Sequence, residues 1–574
     1  MSLQAGSRAS LNERIADELV RQRVEAVFTL MSEDTARLIV EIDRRGIPLY
    51  STRHDSTAVG MADGYARTSG KVGVAVVGRG PGLTNAMNAL VTAAKAGTGV
   101  VVLIGDTPIG IEDEARSRAA RSERVGKHID QDALLRAAGV APVTFRSPAT
   151  AVSDLAGCFD RAQRGGLVAV NLPTDLLEAL TDPPGDLPPV GSAEPPAVPD
   201  SDAISLVADL IGESWAASRP VILAGYGAVT SGAGDDLRRL GQLTGSLMAT
   251  TLMANSLFRS DEFDIGIVGT MSTPLGSELV SQADLVLAFG ASLNPYTTYR
   301  GDLLRKARIV QFDSDPAAAG RYLPAELSVV GDARLAARAL ADELERRGHR
   351  GAGYRSAEIA KRIREFRLKD SVSDRSRPGR LDPRAVMIEL DRVLPAERTL
   401  VIDGGHHFEF AVAHLAVPDP RAFILANEYF SVGCGLAAAL GAAVARPDRL
   451  TVLEIGDGGM MMNLGDLDTA VRYRLPLVVV VTDDGGFGSE IHYLQVNGLP
   501  DDTARYVNPS FAAIAEGMGG TGVAVVSLDR LRELPAALEG LAGPLLLDCK
   551  VSSEVRAGWV DFLFTTGAAA AQKG

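Results

Sequence analysis

Short runs of β-branched and aliphatic residues recur along the chain, and several are followed by a glycine-rich turn and an alanine- and leucine-rich segment. Such runs begin at residues 72, 219 and 449 with the sequences VGVAVVGRGPGLTNAMNALVTAA, RPVILAGYGAV and RLTVLEIGDGG. Strands that alternate with amphipathic helices predict parallel sheets with helices on both faces. The length of 574 residues accommodates several units of about 100–200 residues each. We therefore predict an α/β chain of three Rossmann-like, doubly wound parallel-sheet domains.

Two stretches that do not favour regular structure divide the chain. Residues 181–200 (TDPPGDLPPVGSAEPPAVPD) are rich in proline and indicate a semi-rigid linker. Residues 346–380 are rich in Arg, Gly and Ser, with a short charged helical segment between the two richest parts. The expected units are an N-terminal domain over 1–182, a central domain over 200–345, a C-terminal domain over 381–560 and a tail over 561–574.

Charge, hydropathy and cysteine content exclude several classes of partner. With 58 basic and 72 acidic residues, the net charge of -14 has the wrong sign for neutralising phosphates, so we expect no nucleic-acid partner. Apolar runs such as residues 477–481 are far shorter than the roughly 18 residues needed to span a bilayer, so we expect no membrane partner. Cys158, Cys434 and Cys549 lie far apart without CxxC spacing, which favours a reducing, cytoplasmic location.

Two acidic turns follow two hydrophobic strands in the last third of the chain. Asp457 lies in the turn GDGG after TVLEI, and Asp483 and Asp484 end the run LPLVVVVTDD, with 24 residues between Gly458 and Asp483. One helix between two strands places both turns at neighbouring strand ends of a βαβ unit. Either turn alone could be a simple Asp-Gly turn. Together, they predict a site for a hard divalent cation and a diphosphate.

The two turns resemble the thiamin diphosphate signature of one enzyme superfamily, Gly-Asp-Gly followed by Asn-Asn. Acetolactate synthase, benzoylformate decarboxylase, pyruvate decarboxylase and 2-hydroxyacyl-CoA lyase belong to it, and the resemblance covers almost the whole chain. It implies a pyrimidine-binding domain, a central domain and a diphosphate-binding domain, with thiamin diphosphate and Mg²⁺ as cofactors.

The same resemblance assigns residues around the cation. Asp457, Asp484 and the backbone carbonyl of Gly486 would be the Mg²⁺ ligands, and Gly458 and Gly459 would meet the diphosphate. The usual Asn-Asn pair is Asp483-Asp484 here. The extra negative charge is expected to weaken cofactor binding unless water or the ion compensates for it.

A segment of the first domain resembles the family sequence His-Glu, seven residues, Asp-Gly-Tyr-Ala-Arg. The matching residues are 52–67, TRHDSTAVGMADGYAR. In the family the glutamate hydrogen-bonds the aminopyrimidine ring and activates the cofactor, and the resemblance gives this catalytic role to Asp55. Aspartate is one methylene shorter, so either the backbone approaches more closely or a water molecule intervenes. A helix N-cap is the alternative role for Asp55.

The resemblance predicts further cofactor-binding positions in the loop of Val432, in the turn of residues 80–82 and in the loop of residues 405–407. Val432 corresponds to the apolar wedge that bends the cofactor, although an ordinary core valine would have the same sequence, and Phe430 lies beside it. The turn of Gly80, Pro81 and Gly82 resembles the Gly-Pro-Gly turn on the floor of the active site.

The loop of Gly405, His406 and His407 resembles one that contacts the diphosphate. Adjacent side chains of an extended segment point to opposite faces, so one histidine is expected to be a supporting or surface residue.

Glu490 occupies the place of a carboxylate near the substrate in pyruvate decarboxylase-like enzymes, which suggests a proton shuttle. A first-turn helix glutamate is an equal alternative for Glu490.

The resemblance implies an enzyme that cleaves or forms the C–C bond next to the carbonyl of a 2-oxo acid. Residues 290–296 (GASLNPY) depart from the FAD-binding stretch of acetolactate synthases and look more like the CoA-using lyases, so a 2-hydroxyacyl-CoA lyase is the alternative. Arg300, Arg305, Lys306 and Arg308 would then meet CoA phosphates, or simply solvate the surface. A catalytically silent, cofactor-binding paralogue is a third reading.

The family also implies a homodimer or a dimer of dimers with active sites between subunits.

Overall fold

The computed structural model describes residues 8–109, 126–191, 195–213, 218–351 and 353–571. Three six-stranded sheets follow one another along the chain, and all neighbouring strands within them are parallel. The predicted fold class, an α/β chain with three parallel sheets, is confirmed. Within the described ranges, no helix has both the length and the apolar character needed to cross a bilayer.

The first unit lies between residues 9 and 181. Its strands are β1 (Ala9–Ser10), β2 (Val27–Thr29), β3 (Leu49–Ser51), β4 (Gly73–Val77), β5 (Val100–Asp106), β6 (Pro142–Thr144), β7 (Leu167–Pro173) and β8 (Leu180–Thr181). Its helices are α1 (Leu11–Arg21), α2 (Ala36–Arg44), α3 (Asp55–Ser69), α4 (Pro81–Lys95), α5 (Gln131–Ala137), α6 (Ala151–Gln163) and α7 (Thr174–Leu177). The sheet order is β3-β2-β4-β5-β7-β6, and β1 and β8 form a separate antiparallel pair.

The central unit follows the proline-rich linker. Its strands are β9 (Pro220–Ala224), β10 (Leu247–Thr250), β11 (Asp264–Ile267), β12 (Leu285–Phe289), β13 (Arg308–Asp313) and β14 (Leu327–Val330). Its helices are α8 (Ser201–Glu213), α9 (Tyr226–Thr230), α10 (Gly234–Thr244), α11 (Pro274–Ser281), α12 (Pro295–Thr298) and α13 (Ala333–Arg346). The order β11-β10-β9-β12-β13-β14 is the 3-2-1-4-5-6 order of dinucleotide-binding folds.

The third unit repeats the strand order of the first. After α14 (Ala357–Glu365) come the strands β15 (Arg398–Ile402), β16 (Phe423–Leu425), β17 (Leu450–Gly456), β18 (Leu477–Asp483), β19 (Thr521–Val525) and β20 (Pro544–Lys550). The helices are α15 (Pro383–Val393), α16 (Phe408–His414), α17 (Gly435–Ala445), α18 (Asp457–Met462), α19 (Leu467–Arg472), α20 (Gly488–Val496), α21 (Phe511–Gly517), α22 (Leu528–Arg532), α23 (Leu534–Leu538) and α24 (Gly558–Ala571). The order is β16-β15-β17-β18-β20-β19. Helix α24 crosses the division predicted at residue 560.

Each sheet is buried on both faces, which explains the nearly continuous apolar runs of the sequence. In β18, Val479 and Val481 belong to one hydrophobic cluster, whereas Val478 and Val480 belong to another. The same alternation between two clusters occurs in β4 and β9. Strands covered on both sides need apolar residues at successive positions rather than at every second one.

Helices α3 and α17 pack together and join the first and third sheets into one core. Small residues line this crossing. A Cβ atom at Gly60 would lie 2.6 Å from Ala437 Cβ, and Cβ atoms at Gly64 and Gly441 would clash with backbone on the opposite helix. Contacts this close require glycine because they leave no volume for a side chain. Gly60 and Gly64 of α3 are therefore explained by packing between the two units.

Candidate cofactor site

Asp457 and Asp484 lie at the carboxyl ends of two adjacent parallel strands. Strands β17 and β18 pair in register up to Gly456 and Thr482, so the two acidic turns leave the sheet side by side. Asp457 Oδ2 accepts a hydrogen bond from the backbone amide of Gly485 at 3.0 Å, and Asp457 Oδ1 accepts one from Gly458 at 2.7 Å. The turn after β18 therefore contacts the Asp457 carboxylate directly.

Burial and the charge of a neighbouring carboxylate raise the pKa values of both Asp457 and Asp484. Burial raises the pKa of Asp457 to about 6, with a further contribution from Asp483. Burial and then the charge of Asp457 raise the pKa of Asp484 to about 7. Two buried carboxylates that repel each other are stabilised by a cation between them. In the part of the chain that the structure describes, no cluster of three or more His, Cys, Asp or Glu side chains could hold a metal. A cation here would therefore take its other ligands from backbone, water or phosphate.

Glycines in both turns are packed too closely against their neighbours to carry a side chain. A Cβ atom at Gly458 would lie 2.7 Å from Phe487 Cε1 and 2.9 Å from Tyr506 Oη. Tyr506 donates its backbone N–H to Gly485 O at 3.0 Å, and Phe487 donates to Ala504 O at 2.9 Å. These two hydrogen bonds lie on either side of Gly486, and neither of them involves the carbonyl oxygen of Gly486. The donor set of two carboxylates and one carbonyl is all oxygen and fits Mg²⁺.

Asp483, one of the two residues that depart from the usual Asn-Asn pair, has its own cationic partner. Lys550 Nζ forms an ion pair with Asp483 Oδ2, and it also lies 2.9 Å from Asp548 Oδ1. Asn508 Nδ2 donates to Asp483 Oδ1 at 3.0 Å and to Asp457 Oδ2 at 2.6 Å. Lys550 and Asn508 thus balance the charge of Asp483 within the protein, so this carboxylate depends on neither water nor the ion. Asn508 and Lys550 had no sequence signal because both lie far along the chain from the acidic turns.

Both histidines of the loop after β15 are buried, so neither is a surface residue. His406 Nε2 lies 3.0 Å from the carbonyl of Val555, and burial lowers its pKa to about 3. A neutral imidazole can bond a carbonyl only through its protonated nitrogen, so Nε2 carries the hydrogen. The opposite nitrogen, Nδ1, lies 3.9 Å from Asp484 Oδ2.

His407 faces a different partner, Glu454. Its Nδ1 lies 2.8 Å from Glu454 Oε2, and Glu454 Oε1 accepts from Thr482 Oγ1 at 2.6 Å. Burial alone would lower the pKa of His407, but the Glu454 charge and hydrogen bond raise it to about 9. Its Nε2 lies 2.5 Å and 2.8 Å from where Cβ atoms at Gly405 and Gly456 would be. The positively charged ring therefore lies against the backbone of the predicted diphosphate loops.

Asp403 shapes the loop that carries the predicted apolar wedge. Its carboxylate is fully buried and accepts from the amides of Gly433 and Gly435, both at 2.8 Å. These contacts fix residues 431–433 at the start of α17, and Val432 Cγ1 lies 3.3 Å from where a Gly459 Cβ would be. Val432 is thus half-buried beside the glycine turn rather than inside the core. Phe430 is 66% exposed and packs against Tyr296 at a ring-centroid distance of 5.9 Å.

Asp55 is the first residue of α3, and the helix N-cap is His54. The N-cap alternative for Asp55 is therefore wrong. Its Oδ2 accepts from Asn85 Nδ2 at 3.1 Å, and its Oδ1 lies 3.1 Å from where a Cβ at Gly82 would be. Burial raises the pKa of Asp55.

The Gly-Pro-Gly turn brings α4 up to Asp55. Gly80 has a φ of 58° and donates its N–H to Gln131 Oε1 at 2.9 Å. A side chain at this φ would be strained, and a Cβ would meet the carbonyl of Lys127 at 2.5 Å. Pro81 then begins the helix, a position where its missing N–H costs no hydrogen bond.

The remaining predicted residues are Glu490 and the basic residues considered for CoA phosphates. Glu490 is exposed in the first turn of α20, four residues beyond Gly486. Of the residues considered for CoA phosphates, Arg308 pairs with Glu326, and Arg300 packs over the ring of Phe562 at 4.5 Å. Both of these cations are therefore engaged within the protein.

Comparisons with known proteins agree with this arrangement. The N-terminal TPP binding domain of thiamine pyrophosphate enzymes matches residues 9–158, their central domain matches 205–340, and their C-terminal TPP binding domain matches 403–549. An acetolactate synthase large subunit from Parasynechococcus marenigrum (strain WH8102) is 30% identical over 520 residues, which cover 87% of this chain and 80% of the relative.

Two further relatives are similar over most of their lengths. A probable acetolactate synthase large subunit from Methanocaldococcus jannaschii is 29% identical, covering 84% of this chain and 82% of the relative. A sulfoacetaldehyde acetyltransferase from Castellaniella defragrans is 28% identical, covering 92% and 90%. With three successive domain matches and a relative at 30% identity, the chain belongs to the thiamine pyrophosphate (thiamin diphosphate) enzyme family.

Proposed function

We propose that this chain is a Mg²⁺-dependent thiamin diphosphate enzyme that cleaves or forms the C–C bond next to the carbonyl of a 2-oxo acid. The reaction would be decarboxylation, acyloin-type carboligation or both. The observation that carries the proposal is the pair of buried carboxylates, Asp457 and Asp484, which lie in glycine-rich turns at the ends of two adjacent parallel strands and whose pKa values are raised. In a family that binds a diphosphate, such a pair suits a divalent cation that also holds the phosphates.

The residues of the third unit would hold the cofactor's diphosphate. Asp457, Asp484 and the Gly486 carbonyl would ligate Mg²⁺, while Gly458 and Gly459 would admit the phosphates to the backbone. Three further positions would line the same site, namely Gly405, His406 and His407. Of these, His407 would contribute positive charge, since its ion pair with Glu454 keeps the imidazole protonated. Val432 and Phe430 would contact the organic part of the cofactor. The bound cofactor supplies carbanion stabilisation, and the pocket selects the substrate.

Two carboxyl groups would handle protons. Asp55 is held by Asn85 and has a raised pKa, which suits a group that shares a proton with a ring nitrogen of the cofactor. The turn of Gly80, Pro81 and Gly82 would form the floor beneath it. Glu490 is exposed at the start of α20 and would exchange a proton with the substrate. An exposed carboxylate equilibrates with solvent, as a shuttle must.

The relatives favour a 2-oxo acid as the donor substrate, since two of them carry the name acetolactate synthase. The sulfoacetaldehyde acetyltransferase relative favours transfer of a two-carbon acyl unit. The acyl-CoA lyase alternative rests on residues 290–296 and is weakened by the internal partners of Arg300 and Arg308. The silent paralogue rests on the shorter carboxylate at position 55.

We also propose that the active unit is a homodimer or a dimer of dimers with active sites between subunits. Phe430, Met461 and Met462 are 66%, 44% and 55% exposed around the loop of Val432. Large apolar side chains grouped beside a site support a partner surface there. A reducing, cytoplasmic location remains our expectation for a chain whose Cys158, Cys434 and Cys549 are free thiols.

The deciding experiment is a titration of the apoprotein with thiamin diphosphate, with and without Mg²⁺, followed by circular dichroism. It compares the wild type with Asp457→Ala and with Asp529→Ala, a control at an exposed aspartate. We expect cofactor binding to require Mg²⁺, to weaken by at least about tenfold in Asp457→Ala, and to be unchanged in the control.

Turnover assays then separate the reaction classes. A panel of 2-oxo acids and a panel of 2-hydroxyacyl-CoA esters are tested with the loaded protein, and carbon dioxide and carboligation products are measured. Release of carbon dioxide from a 2-oxo acid supports the proposal. Turnover of acyl-CoA esters alone selects the lyase, and tight Mg²⁺-dependent binding without any turnover selects the silent paralogue. Cofactor affinity that is unchanged in Asp457→Ala rules out the proposed cation site.

A further inference from the structure

The carboxylate at position 483 has a cationic partner that strand register places beside it. Strands β18 and β20 are parallel neighbours, and their pairing sets Asp483 directly beside Lys550. The Lys550 ammonium forms ion pairs with Asp483 and with Asp548, whose side chains are 3% and 0% exposed. Lys550 itself is 24% exposed and lies at the end of its strand. One ammonium therefore serves two buried carboxylates behind the predicted cation site.

Asn508 connects this ion pair to Asp457. Its Nδ2 carries two hydrogens, and the structure uses both, one toward Asp457 Oδ2 at 2.6 Å and one toward Asp483 Oδ1 at 3.0 Å. Asp483 therefore holds the amide in the rotamer that orients Asp457. The hydrogen-bonded chain from Lys550 through Asp483 and Asn508 ends on an oxygen of a proposed cation ligand.

The residue types at positions 483 and 550 depend on each other. A carboxylate at 483 accepts from the Asn508 amide with one oxygen and from the Lys550 ammonium with the other. An asparagine at 483 has a single acceptor oxygen, so its own NH₂ group would face either the ammonium or the Asn508 amide. A donor facing a donor loses a hydrogen bond and leaves a buried polar group unpaired.

We propose that Asp483 and Lys550 are a matched pair that positions Asp457 through Asn508, so that Lys550 is a positioning residue for a cation that it does not touch. This inference rests on the proposed function, because the cation and its diphosphate belong to that proposal. Loss of Lys550 leaves Asp483 with an uncompensated buried charge, which disturbs Asn508 and then Asp457. Replacing Asp483 by asparagine in the variant that lacks Lys550 removes the charge of Asp483 and keeps an acceptor oxygen for the Asn508 amide.

The test is a double-mutant cycle on the full-length chain. It uses Lys550→Met, Asp483→Asn and the double variant, with Lys71→Met as the control because Lys71 pairs with the exposed Glu25. Mg²⁺ affinity is measured by calorimetric titration at saturating thiamin diphosphate. We expect Lys550→Met to bind Mg²⁺ about 10- to 100-fold more weakly, the usual cost of losing a residue that supports a metal ligand. The double variant should recover most of the lost Mg²⁺ affinity, because only Asp483 is linked to Asp457 through Asn508, whereas Asp548 keeps its hydrogen bond from the Phe511 amide. Lys71→Met should bind like the wild type.

Rescue by the second substitution is the outcome that a merely structural lysine would not produce. If the two single effects simply add in the double variant, or if Lys550→Met binds Mg²⁺ as tightly as Lys71→Met, the matched pair is refuted. If Lys550→Met does not fold by circular dichroism, the double variant decides: a folded, Mg²⁺-binding protein supports the pair, and an unfolded or weakly binding one refutes it. A wild-type chain that fails to bind Mg²⁺ with thiamin diphosphate overturns the proposed function itself, which is a different result from an additive cycle.

Discussion

Asn85 donates its side-chain N–H to Asp55 Oδ2 at 3.1 Å, which ties the start of α3 to the first turns of α4. The other carboxylate oxygen, Oδ1, lies on the side of Gly82. Burial raises the pKa of this carboxyl group, so it holds a proton more readily than an exposed aspartate does. The geometry supports a proton-sharing role for Asp55 and gives the shorter side chain a dedicated partner.

Removing the Asp55 carboxylate should slow activation of the cofactor. We expect Asp55→Ala to reduce the rate of C2 proton exchange in bound thiamin diphosphate by about a hundredfold or more, the usual scale for losing a positioned acid or base. Quenched-flow exchange into deuterium oxide followed by proton NMR measures this rate. Asp55→Glu should also be slower than the wild type, because the longer side chain must fit beside the first turn of α4. Exchange that neither substitution alters would remove Asp55 from the mechanism.

A methyl group at position 82 should disturb the Asp55 carboxylate without unfolding α4. A Cβ at Gly82 would lie 3.1 Å from Asp55 Oδ1, which is tight enough to move the carboxylate by a few tenths of an ångström. We expect Gly82→Ala to lower kcat by about tenfold or more, since misplacement by about 1 Å can cost a hundredfold. Gly157→Ala in α6 is the matched control, because a Cβ there meets nothing within 4 Å. Equal kcat values for the two variants would contradict the close approach.

The sheets and the paired acidic turns were predictable because their signals are local. The run at residues 477–481 is apolar at successive positions, as a strand buried on both faces requires. Asp457 and Asp484 meet because parallel neighbours end at the same edge of a sheet, a consequence of the fold class alone. Spacing along the chain was therefore enough to bring these two residues together.

The supporting contacts were not predictable, since they join residues that are distant in sequence. Asn508 reaches Asp457 across 51 positions and Asp403 reaches Gly433 across 30, so neither pair has a spacing rule. Glu454 did leave one signal, as a charged residue inside the apolar strand TVLEIG. That strand position required a buried partner, and His407 is the partner.

The expectation that one of the two histidines would be a supporting or surface residue fails only in its surface alternative, and the reason is conformational. Alternation between two faces applies to extended segments, but the chain turns at residues 404–407 before α16 begins. Gly405 has a φ of 146°, outside the range of an ordinary strand residue. Both His406 and His407 can therefore be buried, each against a different partner.

The crossing of α3 and α17 should be intolerant of added volume. A Cβ at Gly64 would clash with the backbone carbonyl of Ala438. We expect Gly64→Ala to destabilise the protein by about 1–3 kcal/mol or more through overpacking, despite the better helix propensity of alanine. The shift of the urea unfolding midpoint measures the effect, with Gly157→Ala again as the control. A Gly64→Ala midpoint equal to or above that of the control would show that the two helices are not packed this closely.

Binding of Mg²⁺ should strengthen as the pH rises through the pKa of Asp484. Its pKa in the folded apoprotein is raised to about 7 by burial and by Asp457, well above that of an exposed aspartate. The folded apoprotein thus holds this proton more tightly than the unfolded chain does. The stabilisation that results is complete below the unfolded-state pKa of about 4 and is lost as the pH rises through about 7.

Mg²⁺ competes with the proton on Asp484, so Mg²⁺ affinity rises with pH while the stabilisation that the proton provides is lost. Between pH 6 and pH 8 the deprotonated fraction of a group with a pKa of about 7 rises about tenfold, and Mg²⁺ affinity at saturating thiamin diphosphate should rise by a similar factor. Calorimetric titrations across this range measure the slope, and titrations in two buffers with different ionisation enthalpies measure the protons released. Asp484→Asn is the control that isolates the residue, because the cofactor's own phosphate titration is common to both proteins. The variant should lose the part of the pH dependence that Asp484 contributes, whereas identical slopes would mean that the cation does not displace a proton from Asp484.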